Sequence, residues 1–215
     1  MSNKLVLAIL ISGNGSNLQS IIDAIESDQL NAEIRAVVSN NPEAYGLTRA
    51  RKHGIETQVI DHRNYDDGSQ YDQALQQFLE ALAPDIIVLA GFMRILGVEL
   101  VNAFANQILN IHPSLLPDYK GLNTHQRALD NEESKHGVSI HLVTPALDDG
   151  PILLQGSYTI EPGDSAEDLQ KKGHHLEHQM YPQVLRWLAE GRIIIDKGRV
   201  LNDQLPLETP LQFSA

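Results

Sequence analysis

Three stretches of the chain combine residue types and spacings that could do chemistry. The first is Asn110-Ile111-His112, a carboxamide and an imidazole two positions apart. At the end of a strand, alternation puts Asn110 and His112 on one face and Ile111 on the other. An amide N–H and a protonated imidazole suit an oxyanion forming on a carbonyl. An imidazole can also exchange a proton with an attacking or leaving nitrogen near neutral pH. The second stretch, Leu147-Asp148-Asp149-Gly150, offers the carboxylate expected behind such a histidine, and a nearby Asp⁻ raises the imidazole pKa.

The third is Ser12-Gly13-Asn14-Gly15-Ser16-Asn17-Leu18. Gly13 and Gly15 let the backbone curl so that successive N–H groups converge on an anion, with the Ser16 hydroxyl and Asn17 amide as further donors. Leu18 stands where the dinucleotide fingerprint needs its third glycine, and Ser39-Asn40-Asn41 holds no acid for a ribose. The Gly-Lys-Ser/Thr of a Walker loop is also missing. A monophosphate is therefore favoured over a dinucleotide. Each stretch alone could be a tight turn or a satisfied hydrogen-bond pair; three separate loops with complementary chemistry argue for a site.

The elements that must position these residues follow from hydrophobic rhythm. Short β-branched runs at 5–11, 34–39, 57–60, 86–90 and 107–111 alternate with amphipathic stretches, the pattern of βαβ units in a single doubly wound, mostly parallel sheet with helices on both faces. Ser16 is expected to cap a helix from Asn17 to Ser27, Pro42 to open one ending at Gly54, and Ser69 to start one ending before Pro84. The prolines of His112-Pro113-Ser114-Leu115-Leu116-Pro117 mark a long functional loop. A short helix at 124–131 follows, then runs 138–143 and 152–158 that can pair without a crossover helix. A long helix over 165–189, interrupted at Gly173, leads to a small hairpin at 192–201. The expected organisation is one catalytic domain over residues 1–202, with a phosphate-binding part at 1–110, a catalytic part at 90–190, and a mobile tail at 203–215.

Composition narrows the function. Sixteen Lys+Arg against 28 Asp+Glu give a net charge of −12, which disfavours nucleic acid and anionic membrane partners. With 42% hydrophobic residues in 215 the chain can build a packed core. There is no cysteine, hence no thiolate nucleophile or cysteine metal site, and no serine sits in a Gly-x-Ser-x-Gly elbow. The apolar run near the amino terminus is too short to span a membrane, so a cytoplasmic location is expected.

Ile11 to Asn17, Leu89-Ala90-Gly91-Phe92-Met93-Arg94-Ile95-Leu96, Leu109 to Pro117, Gly121 to His125 and Leu147 to Pro151 together resemble the folate-dependent glycinamide ribonucleotide transformylases of the formyltransferase superfamily. The resemblance extends to about residue 190. It implies formyl transfer in purine biosynthesis, with 10-formyltetrahydrofolate as co-substrate and the amine of 5'-phosphoribosylglycinamide as acceptor. It assigns Gly15, Ser16 and Asn17 to the substrate phosphate and Glu177 to its ribose. Met93, Arg94, Ile95, Leu96, Thr144, Pro145, Ala146, Leu147 and Asp148, with Asn110, would line the folate pocket. Asn110 and His112 would stabilise the oxyanion, with Asp148 holding His112 protonated. The Asp-x-Gly frame favours Asp148 over Asp149, where relatives often carry glycine. The family often supplies an arginine to the folate tail from segment 61–71; here Arg63 falls early and Gly68 occupies the corresponding spot, so that contact is unassigned. No metal is expected, because His174, His175 and His178 lack the His-Glu-x-x-His order and a third ligand. The partners are small molecules, and homodimer formation is left open. Related tRNA formyltransferases and formyltetrahydrofolate deformylases would add a further domain, for which this length leaves no room. The remaining alternative is a non-catalytic module that binds a phosphorylated metabolite.

Overall fold

Strand β1 (Leu5–Ile11) is fully buried from Leu7 onward, and the rest of the fold is arranged around it. In the computed structural model, which describes residues 4–214, the chain passes through α1 (Ser16–Glu26), β2 (Ala32–Ser39), α2 (Tyr45–Lys52) and β3 (Thr57–Val59). It continues through α3 (Gly68–Leu82), β4 (Ile86–Leu89), α4 (Val98–Ala103), β5 (Ile108–His112), α5 (Thr124–Asp130), β6 (Lys135–Leu142) and β7 (Ile152–Thr159). The last elements are α6 (Ala166–Ala189), β8 (Ile193–Asp196), β9 (Arg199–Asn202), β10 (Leu205–Pro206) and β11 (Leu211–Phe213).

Eight strands form one sheet in the order β11-β7-β6-β5-β4-β1-β2-β3. All adjacent pairs are parallel except those made by β6, which runs against both β5 and β7. The chain moves outward from β1 to β3 and then crosses to β4 on the other side of β1. The crevice between the carboxyl ends of β1 and β4 is thus the switch point at which open α/β sheets bind ligands. The expected doubly wound, mostly parallel sheet is present, and the β6–β7 pairing is antiparallel as its short connection requires.

Alternation along β1 divides the core. Leu7, Ile9 and Ile11 pack with α1, α2 and α6, while Ala8 and Leu10 pack with Tyr71, Leu75 and Leu79 of α3. The same alternation in β5 sends Leu109 and Ile111 toward α6 and Ile108 toward α3 and α4. Asn110 and His112 therefore share the Ile108 face. Tyr181 of α6 anchors the opposite face, its buried hydroxyl lying 2.9 Å from the Leu89 carbonyl and 3.1 Å from that of Leu109.

Several expected boundaries shift for physical reasons. Ser16 does not cap α1; it is the first helical residue, preceded by Gly15 in the left-handed region at φ 72°, and no side chain caps the helix. Pro42 lies in a turn closed by Ala44 N–H donating to Asn41 O, so α2 begins only at Tyr45. Asp67 caps α3 by accepting from Gln70 N at 2.9 Å. Helix α6 passes through Gly173 without a break; a single interior glycine costs only about 1 kcal/mol relative to alanine, and a Cβ there would meet the His125 ring at an ordinary contact distance of 3.7 Å. Its start is a capping box between Ser165 and Asp168.

The carboxyl-terminal expectation is corrected. The hairpin β8–β9 forms, extended by β10 into a three-stranded sheet. Of residues 203–215, expected as a mobile tail, Ala215 lies outside the described residues, and 203–214 supply β11, which pairs in parallel with β7 through Leu211, Gln212 and Phe213. Leu211 and Phe213 are apolar, alternate, and pack against the main core, a period-2 signal too short to read with assurance from sequence. Among the described residues, no helix is long and apolar enough to cross a membrane.

Candidate active site

A cavity of about 740 Å³ opens beside the carboxyl ends of β4 and β5. Its floor includes Asn110 and His112, one wall is Met93 to Leu96, and the other is Thr144 to Asp148. Every residue expected to carry catalysis or line a folate pocket thus borders one space. Met93, Ile95 and Leu147 expose apolar side chains along it, as an aromatic ligand requires. Leu122 and Thr124, together with Ala166 and Gln170 from the start of α6, also line it; the last two carry no motif by which sequence reasoning could have found them.

His112 is nearly buried, and its Nε2 lies 2.9 Å from the Tyr119 carbonyl. A carbonyl only accepts, so Nε2 carries the proton and Nδ1 is the free basic atom. Nδ1 faces Asp148 Oδ2 at 3.5 Å. Burial depresses the His112 pKa below its ordinary value, and the Tyr119 carbonyl and Asp148 charge only partly offset this. This corrects the expectation of a histidine raised by its carboxylate: the low-polarity surroundings outweigh the single charge. Asp148 is shifted the other way in charge preference. Burial opposes its ionisation, but the Gly121 amide, which donates to Oδ2 at 2.9 Å, helps to hold its carboxyl below the ordinary range. Burial thus disfavours the charged imidazole of His112, while hydrogen bonding favours the charged carboxylate of Asp148.

Asn110 pairs across the β5–β6 ladder with His141. The His141 Nδ1 lies 3.0 Å from the Leu142 carbonyl and so bears the proton, leaving Nε2 to accept from Asn110 Nδ2 at 3.2 Å. One Asn110 N–H is thereby fixed and the other left for a ligand. Asp148 sits at φ 48°, a left-handed conformation that turns its side chain back toward His112 and His141. Asp149 points away: it is exposed and ion-paired with Lys120, so the two adjacent carboxylates are separated by direction.

The glycine loop lies next to this cavity and outside its lining. Ser12 joins the two, its hydroxyl accepting from Met93 N at 2.8 Å and donating to Asn40 Oδ1 at 2.6 Å. Gly15 approaches Gly46 so closely that a Cβ on Gly15 would meet the Gly46 Cα at 2.7 Å. Among the described residues, no acceptor takes the N–H groups of Gly15, Ser16 or Asn17, which is the arrangement that binds an anion at a helix start. Glu177, buried on α6, accepts from Asn17 Nδ2 at 2.6 Å. Its pKa is raised by burial. Sequence reasoning placed Glu177 on a ribose; its contact here is with the loop asparagine.

Arg63 is paired with Asp61 at 2.6 Å on the surface. Beside Gly68 the structure places the guanidinium of Arg94, 4.7 Å above the Tyr71 ring. His174 and His178 stack at 6.1 Å, and among the described residues no group of three His, Cys, Asp or Glu side chains is arranged to hold a metal ion. His125 packs edge-on against buried His136, and burial pushes its pKa down to about 4.

The model of the formyl transferase family matches residues 5–185. The chain belongs to that family. Among its relatives, the phosphoribosylglycinamide formyltransferase of Escherichia coli (strain K12) is 47% identical over 187 residues, covering 87% of this chain and 88% of the relative. The solved phosphoribosylglycinamide formyltransferase of Coxiella burnetii superposes with a TM-score of 0.92 at 46% identity, covering 98% of this chain and 100% of the other. Glycinamide ribonucleotide transformylase 1 of Symbiobacterium toebii gives a TM-score of 0.89 at 38% identity, covering 94% and 95% of the two chains. In this member of the family a carboxamide, an imidazole and a carboxylate border one largely apolar cavity.

Proposed function

We propose that the chain transfers a formyl group from 10-formyltetrahydrofolate to the amine of 5'-phosphoribosylglycinamide, a step of purine biosynthesis. The observation that carries this reading is the convergence of Asn110, His112 and Asp148 on the floor of the cavity, beside a loop whose amides lack acceptors. The reaction forms a C–N bond at the glycinamide nitrogen, breaks the C–N bond to the folate nitrogen, and moves one proton from the first nitrogen to the second.

Asn110 offers its second Nδ2 proton to the carbonyl oxygen as negative charge develops there, a contribution of about 10²–10³ in rate for one such donor. His112, neutral at rest with Nδ1 free, takes up the proton from the attacking nitrogen. The imidazolium so formed faces Asp148 at 3.5 Å and returns the proton to the departing nitrogen. The donor pair read from the sequence thus divides into two roles. Met93 to Leu96 and Thr144 to Leu147 hold the folate ring system, and Gly15 to Asn17 hold the phosphate, with Glu177 orienting Asn17.

The test is to mix the protein with both substrates and follow the folate absorbance. Turnover is expected in the wild type, and His112→Ala should lose about 10²–10⁴ in kcat while still binding the ribonucleotide. Equal rates in the two proteins would return the chain to the alternative of a non-catalytic binder.

A further inference from the structure

The loop after β1 presents its amides in one direction because its carbonyls are held in others. Ser12 O accepts from Asn41 Nδ2 at 3.4 Å, Gly13 O from Gly46 N at 3.0 Å, Asn14 O from Arg49 Nε at 3.0 Å, and Gly15 O from Gln19 N at 3.0 Å. A carbonyl facing a phosphate would repel it, so fixing all four outward leaves the unpartnered N–H groups to define the potential inside the curl. Two of the four donors, Gly46 and Arg49, come from α2, an element that carries no recognisable phosphate motif.

Arg49 contributes more than one bond. Its Nη2 donates to Asn14 Oδ1 at 3.1 Å and its Nη1 to Gln19 Oε1 at 3.2 Å, and its guanidinium carbon stands 4.9 Å above the Tyr45 ring. All of these acceptors are neutral. Among the described residues, Arg35, Arg63 and Arg192 face a carboxylate; Arg49 is one of several arginines with none within 4.0 Å, and its Nε, Nη1 and Nη2 are all held by the loop and by Gln19. The guanidinium is therefore clamped in place against the loop with its charge uncompensated, in a chain whose net charge is −12. A fixed cation beside outward-held carbonyls raises the affinity for a doubly charged anion and does not act on a neutral reacting centre.

We propose that Arg49 is the positioning residue of the phosphate site: it locks Asn14 so that the loop amides converge, and its charge supplies the attraction for the phosphomonoester that the acidic surface would otherwise oppose. The identity of the phosphomonoester as a glycinamide ribonucleotide rests on the formyl-transfer reading; the phosphate assignment does not.

Titration calorimetry with glycinamide ribonucleotide and, separately, with inorganic phosphate, together with steady-state kinetics, tests this on wild type, Arg49→Gln and Arg49→Lys. Arg49→Gln should weaken both ligands and raise the ribonucleotide KM by about tenfold or more, as expected for loss of a charge-assisted contact, with kcat and the formyl-donor KM unchanged. The wild-type KM should climb with ionic strength more steeply than that of Arg49→Gln. Arg49→Lys should recover the salt dependence and only part of the affinity, because an ammonium keeps the charge and loses the fork on Asn14. Wild-type affinity in Arg49→Gln overturns the assignment, as does an equal loss of kcat and of both KM values in the two variants. A wild-type protein that binds inorganic phosphate but turns over no ribonucleotide overturns the formyl-transfer reading and supports the phosphate assignment.

Discussion

Burial and hydrogen bonding set opposite charge preferences on His112 and Asp148, and the pair's pH behaviour follows. Burial lowers the His112 pKa, and the Asp148 charge is among the influences that raise it. Activity that needs Nδ1 unprotonated should fall as the pH drops through the His112 pKa, so the acid limb of the kcat/KM profile should lie below the ordinary histidine value of about 6.5. Asp148→Asn removes a charge that raises that pKa and should move the limb to still lower pH while reducing kcat. Asp149→Asn, whose carboxylate faces Lys120, should leave the limb where it is. A pH–rate profile of the three proteins checks this, and the reverse pattern would transfer the role to Asp149. The shared face of Asn110 and His112 was legible from strand alternation alone. Their charge states were not, because the Tyr119 carbonyl, His141 and the surrounding apolar groups reach them only through the tertiary fold.

At the scale of elements, α2 is held to the phosphate loop by a glycine-to-glycine contact. A Cβ on Gly46 would meet the Ile11 Cδ1 at 2.4 Å and the Gly15 Cα at 3.2 Å. The isoleucine is buried and the glycine carbon is backbone, so neither yields freely. Gly46→Ala should cost about 1–3 kcal/mol and raise the ribonucleotide KM, leaving the formyl-donor KM near its wild-type value; a denaturant titration and two substrate series measure both. The alternation of β-branched runs with amphipathic stretches made most elements readable. The start of α1 was misread because Ser16 has the preferred chemistry of a cap while Gly15 alone has the left-handed backbone that the turn requires. Gly173 misled because a lone glycine weakens a helix without ending it, and the long turns of α6 on either side carry the helix through.

For the whole molecule, the glycine loop after β1 and the cavity beside the carboxyl ends of β4 and β5 meet at the switch point of one sheet. The order of strands was legible as a class, because right-handed crossovers leave few alternatives. The return of the last residues to the sheet as β11 was not, since three residues carry too little pattern to outweigh a polar, proline-bearing approach.

Ser12 gives this arrangement a thermodynamic consequence. One hydroxyl bonds both the amide of Met93, on the cavity wall, and Asn40, behind the phosphate loop, so an adjustment on one side is felt on the other. Two sites that share a group are linked, and linkage is reciprocal: each ligand must change the affinity of the other by the same factor. The ratio of ribonucleotide dissociation constants measured with and without a non-transferring folate analogue should therefore differ from one in the wild type and approach one in Ser12→Ala. A ratio unmoved by that substitution would mean that the two halves fill independently. The fold would then bring its substrates together without making the arrival of one informative about the other.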